Sequence, residues 1–359
     1  MHGCDLTPAA RMIDSDRCEG PVVPRTMSLM STSLSAADGS SSPGELERAL
    51  EAHRTELTGY CYRMLGAGSE AEDAVQETMV RAWRSIDGFE GRSSLRSWLY
   101  RIANNVCIDM MRSPQRRARP MDLGPSSVTA EVVLGPQSPE NVFVQPIADD
   151  RVIDVHGDPA EVTEARESIR LAFIAALQHL PPRQRSALIL CEVLKWQATE
   201  AAELLDTSVA SINSALQRAR ATLGAQRGAP LDPNVGPDQE ALLARYVDAF
   251  ERYDIEQLVT LLRDDVVLSM PPWEVWLVGP DELAAWFLGP GIECQHGKLL
   301  PLQVNGTAGF GNYHRVADGV WEPWAIQVIE VSGGRIAGHH NFLYPDAFAD
   351  FGLPARIEA

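Results

Sequence analysis

Residues 197–223 read QATEAAELLDTSVASINSALQRARATL and contain two helical patterns separated by a short turn. The first pattern has apolar residues at helical spacing and a small residue, Ala202, which suits a close crossing of two helices. Thr207 or Ser208 can cap the second helix, and Asp206 stands at a turn position often filled by Gly, where Asp tolerates a left-handed backbone. The stretch therefore predicts a helix–turn–helix. Its expected core positions are Ala201, Leu204, Leu205, Val209, Ile212, Leu216, Ala219 and Leu223.

The polar face of the second helix has side chains that can read DNA. The stretch from Val209 to Gly228 has no acid, although the whole chain has a formal net charge of −18. Asn and Gln pair with adenine edges in the major groove, and Arg pairs with guanine edges. Two other interpretations stay open at this point, a solvated helix face or a helix pair that binds no DNA. The candidate base-reading residues are Asn213, Ser214, Gln217 and Arg218.

Charge is distributed unevenly along the chain. Arg96 to Arg119 contains six arginines and a single acid, Asp109, which is the electrostatic pattern that nucleic acid requires. Most of the acid lies in residues 121–165, with a net charge of −8, and in residues 237–359, with a net charge of −11. The overall acidity is therefore compatible with a nucleic-acid partner.

Composition argues against several classes of protein. No run of about 18 apolar residues predicts a membrane span, and the N-terminus lacks the basic start and apolar run of a secretory signal. The six cysteines form no CxxC pair and stand beside no His at zinc-ligand spacing. We therefore expect reduced thiols, no metal, no cofactor and a cytoplasmic location.

Breaks in the helical patterns predict the domain organisation. Residues 45–113 contain three helical stretches separated by GAGS and DGFEGRS, and Pro114 and Pro120 end that block. Within residues 324–343, WAIQVIEVSGGRIAGHHNFL predicts two strands joined at the SGG turn. The expected divisions are a disordered tail (1–44), a helical domain (45–120), an acidic linker (121–160), a second helical domain (161–228), a short linker (229–237) and an α+β domain (238–359).

Two blocks resemble a known family. Residues 70–112, EAEDAVQETMVRAWRSIDGFEGRSSLRSWLYRIANNVCIDMMR, resemble region 2 of bacterial extracytoplasmic-function sigma factors, and residues 179–223 resemble region 4. The resemblance implies two all-α sigma domains that bind core RNA polymerase, recognise −35 and −10 promoter elements and start transcription without catalysis. It also implies that the acidic linker passes through the polymerase channel meant for RNA, where acid can mimic nucleic acid. A solvated spacer is the alternative for the linker.

The resemblance also implies roles for individual residues. The family's DxxQE helix docks on the polymerase clamp helices, and region 4 has the flap as its expected contact. Opening of the promoter needs aromatic, amide and cationic side chains that capture an unstacked base, although Trp98 suits the core equally well. The core-binding residues so implied are Asp73, Gln76, Glu77 and Arg81. The residues implied for the −10 element are Arg92, Ser94, Trp98, Arg101, Asn105 and Asp109. The residues implied for the −35 element are Asn213, Ser214, Gln217 and Arg218.

Residues 238–356 resemble the SnoaL-like group of the NTF2-like fold, a cone of helices over a curved sheet. In sigma factors that carry such an extension, this domain holds or adjusts the two sigma domains, which implies an intramolecular contact that regulates activity. A ligand pocket and catalysis are the alternatives for this domain, because the fold has a cavity. The candidate pocket residues are Trp273, Trp276, Trp321 and His340. The further acid–base candidates are His314, Asp318 and His339.

Two rival functions stay open. A helix–turn–helix regulator that works without polymerase would leave DAVQETMVRAW and SSLRSWLYRIANN without a role. A SnoaL-like enzyme fused to a DNA-binding module would need an acid and a base that face one cavity.

Overall fold

The computed structural model describes residues 43–89, 91, 93–111, 117–224, 231–232 and 236–358. Residues 1–42 of the predicted tail, Arg92 and part of the predicted linker 229–237 lie outside these residues. Two groups of helices precede a domain of helices and one sheet, which confirms the predicted fold class. Among the described helices, none combines the length and the apolar character needed to cross a membrane.

The first helical group holds four helices. The sequence predicted one helix from Glu45 onward, but the chain divides it at residues 52–53, where His53 N–H donates to the Leu50 carbonyl and the His53 ring pairs with Glu56. Ser94 caps the last helix by accepting the Ser97 N–H. The helices are α1 (Pro43–Glu51), α2 (Arg54–Leu65), α3 (Gly68–Ser85) and α4 (Leu95–Met110).

The second helical group contains the predicted helix–turn–helix. Ser208 Oγ accepts the Ser211 N–H at 3.2 Å and is therefore the cap, and Asp206 has the expected positive φ of 48°. Val209 differs from the prediction because it lies in the first turn, beyond the packed stripe, and is 38% exposed. The helices are α5 (Pro159–Glu167), α6 (Leu171–Gln178), α7 (Pro182–Leu188), α8 (Ala198–Leu204) and α9 (Val209–Gly224).

Residues 121–160, predicted to be an acidic linker, are mostly irregular and are packed into the structure. It forms short 3-10 turns, and Phe143, Val144 and Ile147 are buried. An isolated bridge pairs Ala118, just before the linker, with Phe143, and another pairs Ala148 with the end of a strand in the last domain. A segment without hydrophobic periodicity therefore contributes to the core.

The last domain places three helices on one sheet. The strand order is β2-β1-β6-β5-β4-β3, with β7 paired to β5, and β1 runs parallel to β6 while the other pairs are antiparallel. Gly333 and Gly334, both with positive φ, form the predicted turn between β5 and β6. The helices are α10 (Pro237–Arg252), α11 (Ile255–Thr260) and α12 (Pro280–Leu288). The strands are β1 (Leu262–Ser269), β2 (Trp276–Val278), β3 (Lys298–Val304), β4 (Thr307–Ala317), β5 (Val320–Ser332), β6 (Arg335–Phe342) and β7 (Ile357–Glu358).

The two faces of this sheet belong to different cores. Side chains alternate across a strand, so Phe310 and Ile329 pack with the domain's own helices. Val304, Val328 and Phe342 belong instead to a cluster that includes both helical groups and the linker. The sheet is therefore covered by its own helices on one face and by the rest of the chain on the other.

The tip of the β3–β4 hairpin fixes this docking. Asn305 is fully buried, and its Nδ2 donates to the Tyr62 hydroxyl at 2.6 Å and to the Ile169 carbonyl at 2.7 Å. Its Oδ1 accepts the Ile147 N–H at 2.9 Å. One side chain thus joins α2, the linker and the segment before α6.

Substitution of the neighbouring Gly306 tests the tightness of this contact. Gly306 and Gly352 both have left-handed backbones, with φ of 69° and 65°, so Ala costs about 1–2 kcal/mol at either position. A Cβ on Gly306 would also overlap the Arg166 carbonyl oxygen, whereas a Cβ on Gly352 meets open space. We expect Gly306→Ala to lower the free energy of unfolding by at least about 2 kcal/mol more than Gly352→Ala in chemical denaturation. Equal losses would contradict this packing.

Candidate nucleic-acid and protein interfaces

The second helix of the helix–turn–helix presents one polar face. Ile212, Leu216 and Ala219 are buried, while the four predicted base-reading residues on α9 are all exposed. The turn is closed by the Thr207 N–H, which donates to the Ala202 carbonyl at 2.9 Å. The structure therefore brings together Asn213, Ser214, Gln217 and Arg218 on one accessible surface, here called the α9 face.

Arg220 does not belong to the α9 face. Its guanidinium is paired with the Glu192 carboxylate in the helical turn Ile189–Val193, which continues α7. This ion pair joins α9 to the end of α7, so Arg220 is engaged within its own domain.

Three of the residues predicted for the −10 element form a second surface. Arg101, Asn105 and Asp109 are exposed and are spaced four residues apart on α4, so they lie along one helix face. We call these three residues the α4 face. It combines a cation, an amide and an acid at the surface of the first helical group.

The other residues predicted for the −10 element are used differently or lie outside the described residues. Ser94 is engaged as the cap of α4, and Trp98 is half-buried with its ring centroid 5.0 Å from that of Phe89. Arg92 lies outside the described residues. The structure thus favours the core role for Trp98 that the sequence left open.

Asn104, the neighbour of Asn105, has an internal role that the sequence did not reveal. It is buried, and its Oδ1 accepts the Tyr60 hydroxyl at 3.0 Å and the Ser186 hydroxyl at 2.7 Å. These bonds join α2 and α4 to α7 of the second group. Successive asparagines therefore have opposite functions, one inside the fold and one at its surface.

The second helical group lies directly against α4. Arg101 Nη2 donates to the Glu203 carbonyl at 3.0 Å, and the Tyr100 and Trp196 ring centroids are 5.1 Å apart. The Arg96 guanidinium lies over both rings and donates to Glu56 at 2.8 Å. The segment that carries the α9 face is thus in contact with the helix that carries the α4 face.

Glu56 is the acid at the centre of this contact. Burial alone would raise its pKa, but hydrogen bonding from His53 and the charge of Arg96 lower the pKa below its ordinary value. Glu56 is therefore a carboxylate at neutral pH and stabilises the position of Arg96.

A third surface lies on α3. Asp73, Gln76 and Glu77 are exposed, as the prediction requires, and Arg81 Nε donates to Glu77 at 2.7 Å. The sequence prediction missed two apolar side chains on the same stripe. These are Val80, 41% exposed, and Trp83, 46% exposed. An exposed tryptophan at helical spacing from charged residues is the signal that would have identified them.

The four candidate pocket residues do not line one cavity. Trp273 and Trp276 donate their indole N–H groups to linker carbonyls, and Trp321 donates to the His296 carbonyl within the last domain. His340 is buried, with Nδ1 2.8 Å from the Ser269 hydroxyl. The cleft beside His340 has a volume of about 10 Å³, room for a single water molecule.

The acid–base candidates are also separated. Burial lowers the pKa of His339 to about 3, and its Nε2 lies 2.7 Å from the Tyr246 hydroxyl among aromatic rings. Burial lowers the pKa of His314 to about 4, and this ring stacks on Trp324. Asp318 is exposed and paired with Arg315. Among the described residues, no group of three or more His, Cys, Asp or Glu side chains could hold a metal ion.

The two asparagines of α4 give a matched test of these assignments. Asn104→Ala would leave the Tyr60 hydroxyl buried without its acceptor, so we expect the free energy of unfolding to fall by about 2 kcal/mol. Asn105→Ala removes an exposed side chain and should change it by less than about 0.5 kcal/mol. Urea unfolding of both variants measures the difference, and similar values would show that the two side chains have similar environments.

Comparisons with known proteins identify both helical groups. The Sigma-70 region 2 family matches residues 49–117, and the Sigma-70, region 4 family matches residues 170–223. The ECF RNA polymerase sigma factor SigG of Mycobacterium tuberculosis is 39% identical over 321 residues, which cover 88% of this chain and 85% of SigG.

A second relative extends the likeness to a solved structure. The ECF RNA polymerase sigma factor SigJ of Mycobacterium tuberculosis is 29% identical, over 85% of this chain and 94% of SigJ. The crystal structure of SigJ matches with a TM-score of 0.55 and 22% identity, covering 86% of this chain and all of that chain. The fold, including the C-terminal domain, is therefore shared.

Proposed function

The chain belongs to the extracytoplasmic-function sigma factors of RNA polymerase, and we propose that its three exposed surfaces divide the work of that family. As an alternative sigma factor it binds core RNA polymerase and promoter DNA. In our proposal the α3 surface contacts the polymerase clamp helices, the α4 face contacts the −10 element, and the α9 face reads the −35 element.

The α9 face is the observation that carries this proposal. Its four polar side chains are exposed together, and the opposite side of α9 is buried in its own domain. Amide and guanidinium groups on a helix with a packed back are the groups that read base edges in a major groove. Since Asn213 is an amide, we infer that it reads an adenine.

In this structure, here called the closed form, the two helical groups contact each other, and this contact limits how far apart their DNA-binding faces can be. The −35 and −10 elements lie about 25 base pairs apart, which is about 85 Å of duplex. Here α4 is in direct contact with the second helical group through Arg101 and Trp196. We infer that the two groups separate before both elements are bound at once.

We propose that the C-terminal domain regulates this separation. Its sheet shares a core with both helical groups, and Asn305 bonds to α2 and to the segment before α6. Arg151 of the linker pairs with Glu72 on α3 and with Asp350 of the C-terminal domain. The domain therefore stabilises the closed form, and its release favours promoter binding.

Sigma factors are not catalytic, and we propose that the C-terminal domain has no enzymatic role either. The interior of its cone is filled by Tyr246, Phe250, Phe287 and Phe310, whose rings contact one another or His339. This packing leaves the buried histidines without a shared cavity. For these roles we propose the domain boundaries of the sequence analysis, 45–120, 161–228 and 238–359.

Run-off transcription with core RNA polymerase tests the promoter surfaces. We expect Asn105→Ala and Arg218→Ala each to reduce the specific transcript about tenfold, because a base contact contributes roughly 1–3 kcal/mol. Arg252→Ala, which removes an exposed arginine from the C-terminal domain, is the matched control. Unchanged transcription by both variants would contradict the proposal, and promoter binding without any core binding would support the helix–turn–helix regulator.

The same assay tests regulation by the C-terminal domain. Gly306→Ala weakens the docked hairpin tip, so we expect more transcript from the same promoter, with Gly352→Ala unchanged. Amide hydrogen exchange at Ile147, whose N–H donates to Asn305, should be faster in Gly306→Ala and unchanged in Gly352→Ala. Unchanged exchange at Ile147 in Gly306→Ala, or faster exchange with no gain in transcript, would contradict regulation by docking.

A further inference from the structure

The C-terminal domain holds one segment of the linker by its main chain. The indole N–H of Trp276 donates to the Gly124 carbonyl at 3.0 Å, and that of Trp273 donates to the Gly135 carbonyl at 2.8 Å. In return, the Ser127 N–H donates to the Trp276 carbonyl at 2.8 Å and the Ser138 N–H to the Pro272 carbonyl at 2.9 Å. Residues 124–138, here called the captured segment, are thus fixed near both ends.

Glu282, in the first turn of α12, fixes the middle of the captured segment. Its carboxylate accepts the Thr129 N–H at 2.7 Å, and its carbonyl accepts the Thr129 hydroxyl at 2.9 Å. The bonds from Thr129 lower the pKa of Glu282 below its ordinary value. Glu282 therefore contacts the segment through both its side chain and its main chain.

These contacts leave apolar side chains of the captured segment in solvent. Val133 is 85% exposed, and Val128 and Leu134 are about half exposed. The later part of the linker differs, because Phe143 and Ile147 are buried in the core. A segment that is held mainly by hydrogen bonds, with Val132 half-buried against the core of the C-terminal domain, can be exchanged for another partner.

We propose that the β1–β2 loop and the start of α12 form a peptide-binding site whose ligand is the chain's own linker, and that core RNA polymerase displaces this segment. The proposal rests on the proposed function. While the segment is captured, about 12 residues join α4 to it, with a reach of about 40 Å. Release of this segment, followed by that of the Ala118–Phe143 bridge and of the buried Phe143 and Ile147, leaves about 47 residues between α4 and α5, with a reach of about 160 Å. Capture is therefore one of the contacts that keep the first helical group near the C-terminal domain, and release of the whole linker supplies the chain length that a promoter requires.

The first experiment measures capture in the full-length chain by amide hydrogen exchange. The double variant Trp273→Phe, Trp276→Phe removes the two indole donors and keeps the aromatic rings. We expect the Ser127 and Ser138 amides to exchange about tenfold faster in this variant. Trp321→Phe, which loses an indole bond to a carbonyl within the C-terminal domain, is the matched control and should leave both amides unchanged. Unchanged exchange in the double variant would overturn the site.

The second experiment measures the affinity of the same full-length proteins for core RNA polymerase. Because the segment of the double variant opens about tenfold more often, we expect this variant to bind core about tenfold more tightly than the parent, with Trp321→Phe equal to the parent. Faster exchange with unchanged or weaker core affinity would overturn the displacement by polymerase. Failure of the parent itself to bind core would overturn the proposed function, which separates the two conclusions.

Discussion

The structure depends on the burial of the second face of a β-sheet. A sheet whose strands carry apolar residues on both faces needs cover on each. The three C-terminal helices cover one face, and Val304, Val328 and Phe342 on the other enter a core shared with both helical groups. Burial of the sheet therefore sets how the sigma domains are arranged, and polar contacts such as those of Asn305 fix the exact register of the docking.

Local signals in the sequence predicted the elements, and long-range contacts explain what it could not predict. The Ser208 cap, the left-handed Asp206 and the Gly333–Gly334 turn each depend on a few neighbouring residues. The packing of the linker depends on residues far away in the sequence. Ile147 of the linker bonds to Asn305, which also bonds to Tyr62, 243 residues away. Periodicity cannot report such pairs, so the sequence predicts a linker there and not a packed segment.

Helical spacing predicts which side chains of a helix are buried and which are exposed, and the candidate surfaces were predicted in this way. Spacing places Asp73, Asn105 and Gln217 on exposed faces, and all three are exposed. It did not reveal that Trp273 and Trp276 bind the linker, since an indole N–H can find its acceptor anywhere in the fold. The roles proposed for these residues come from the resemblance to a family. The structure shows that Asn104 is buried and hydrogen-bonded while Asn105 is exposed.

The shared core also couples opening to the lifetime of the protein. Each large apolar side chain returned to water costs roughly 1.5–3 kcal/mol, so exposing Val304, Val328 and Phe342 together costs on the order of 6 kcal/mol. An open chain without polymerase is then rare. Its exposed apolar surface would favour aggregation with other chains and cleavage by proteases. Polymerase that keeps the chain open would thus have to shield that surface as well, so the supply of free polymerase would control how long the opened factor survives.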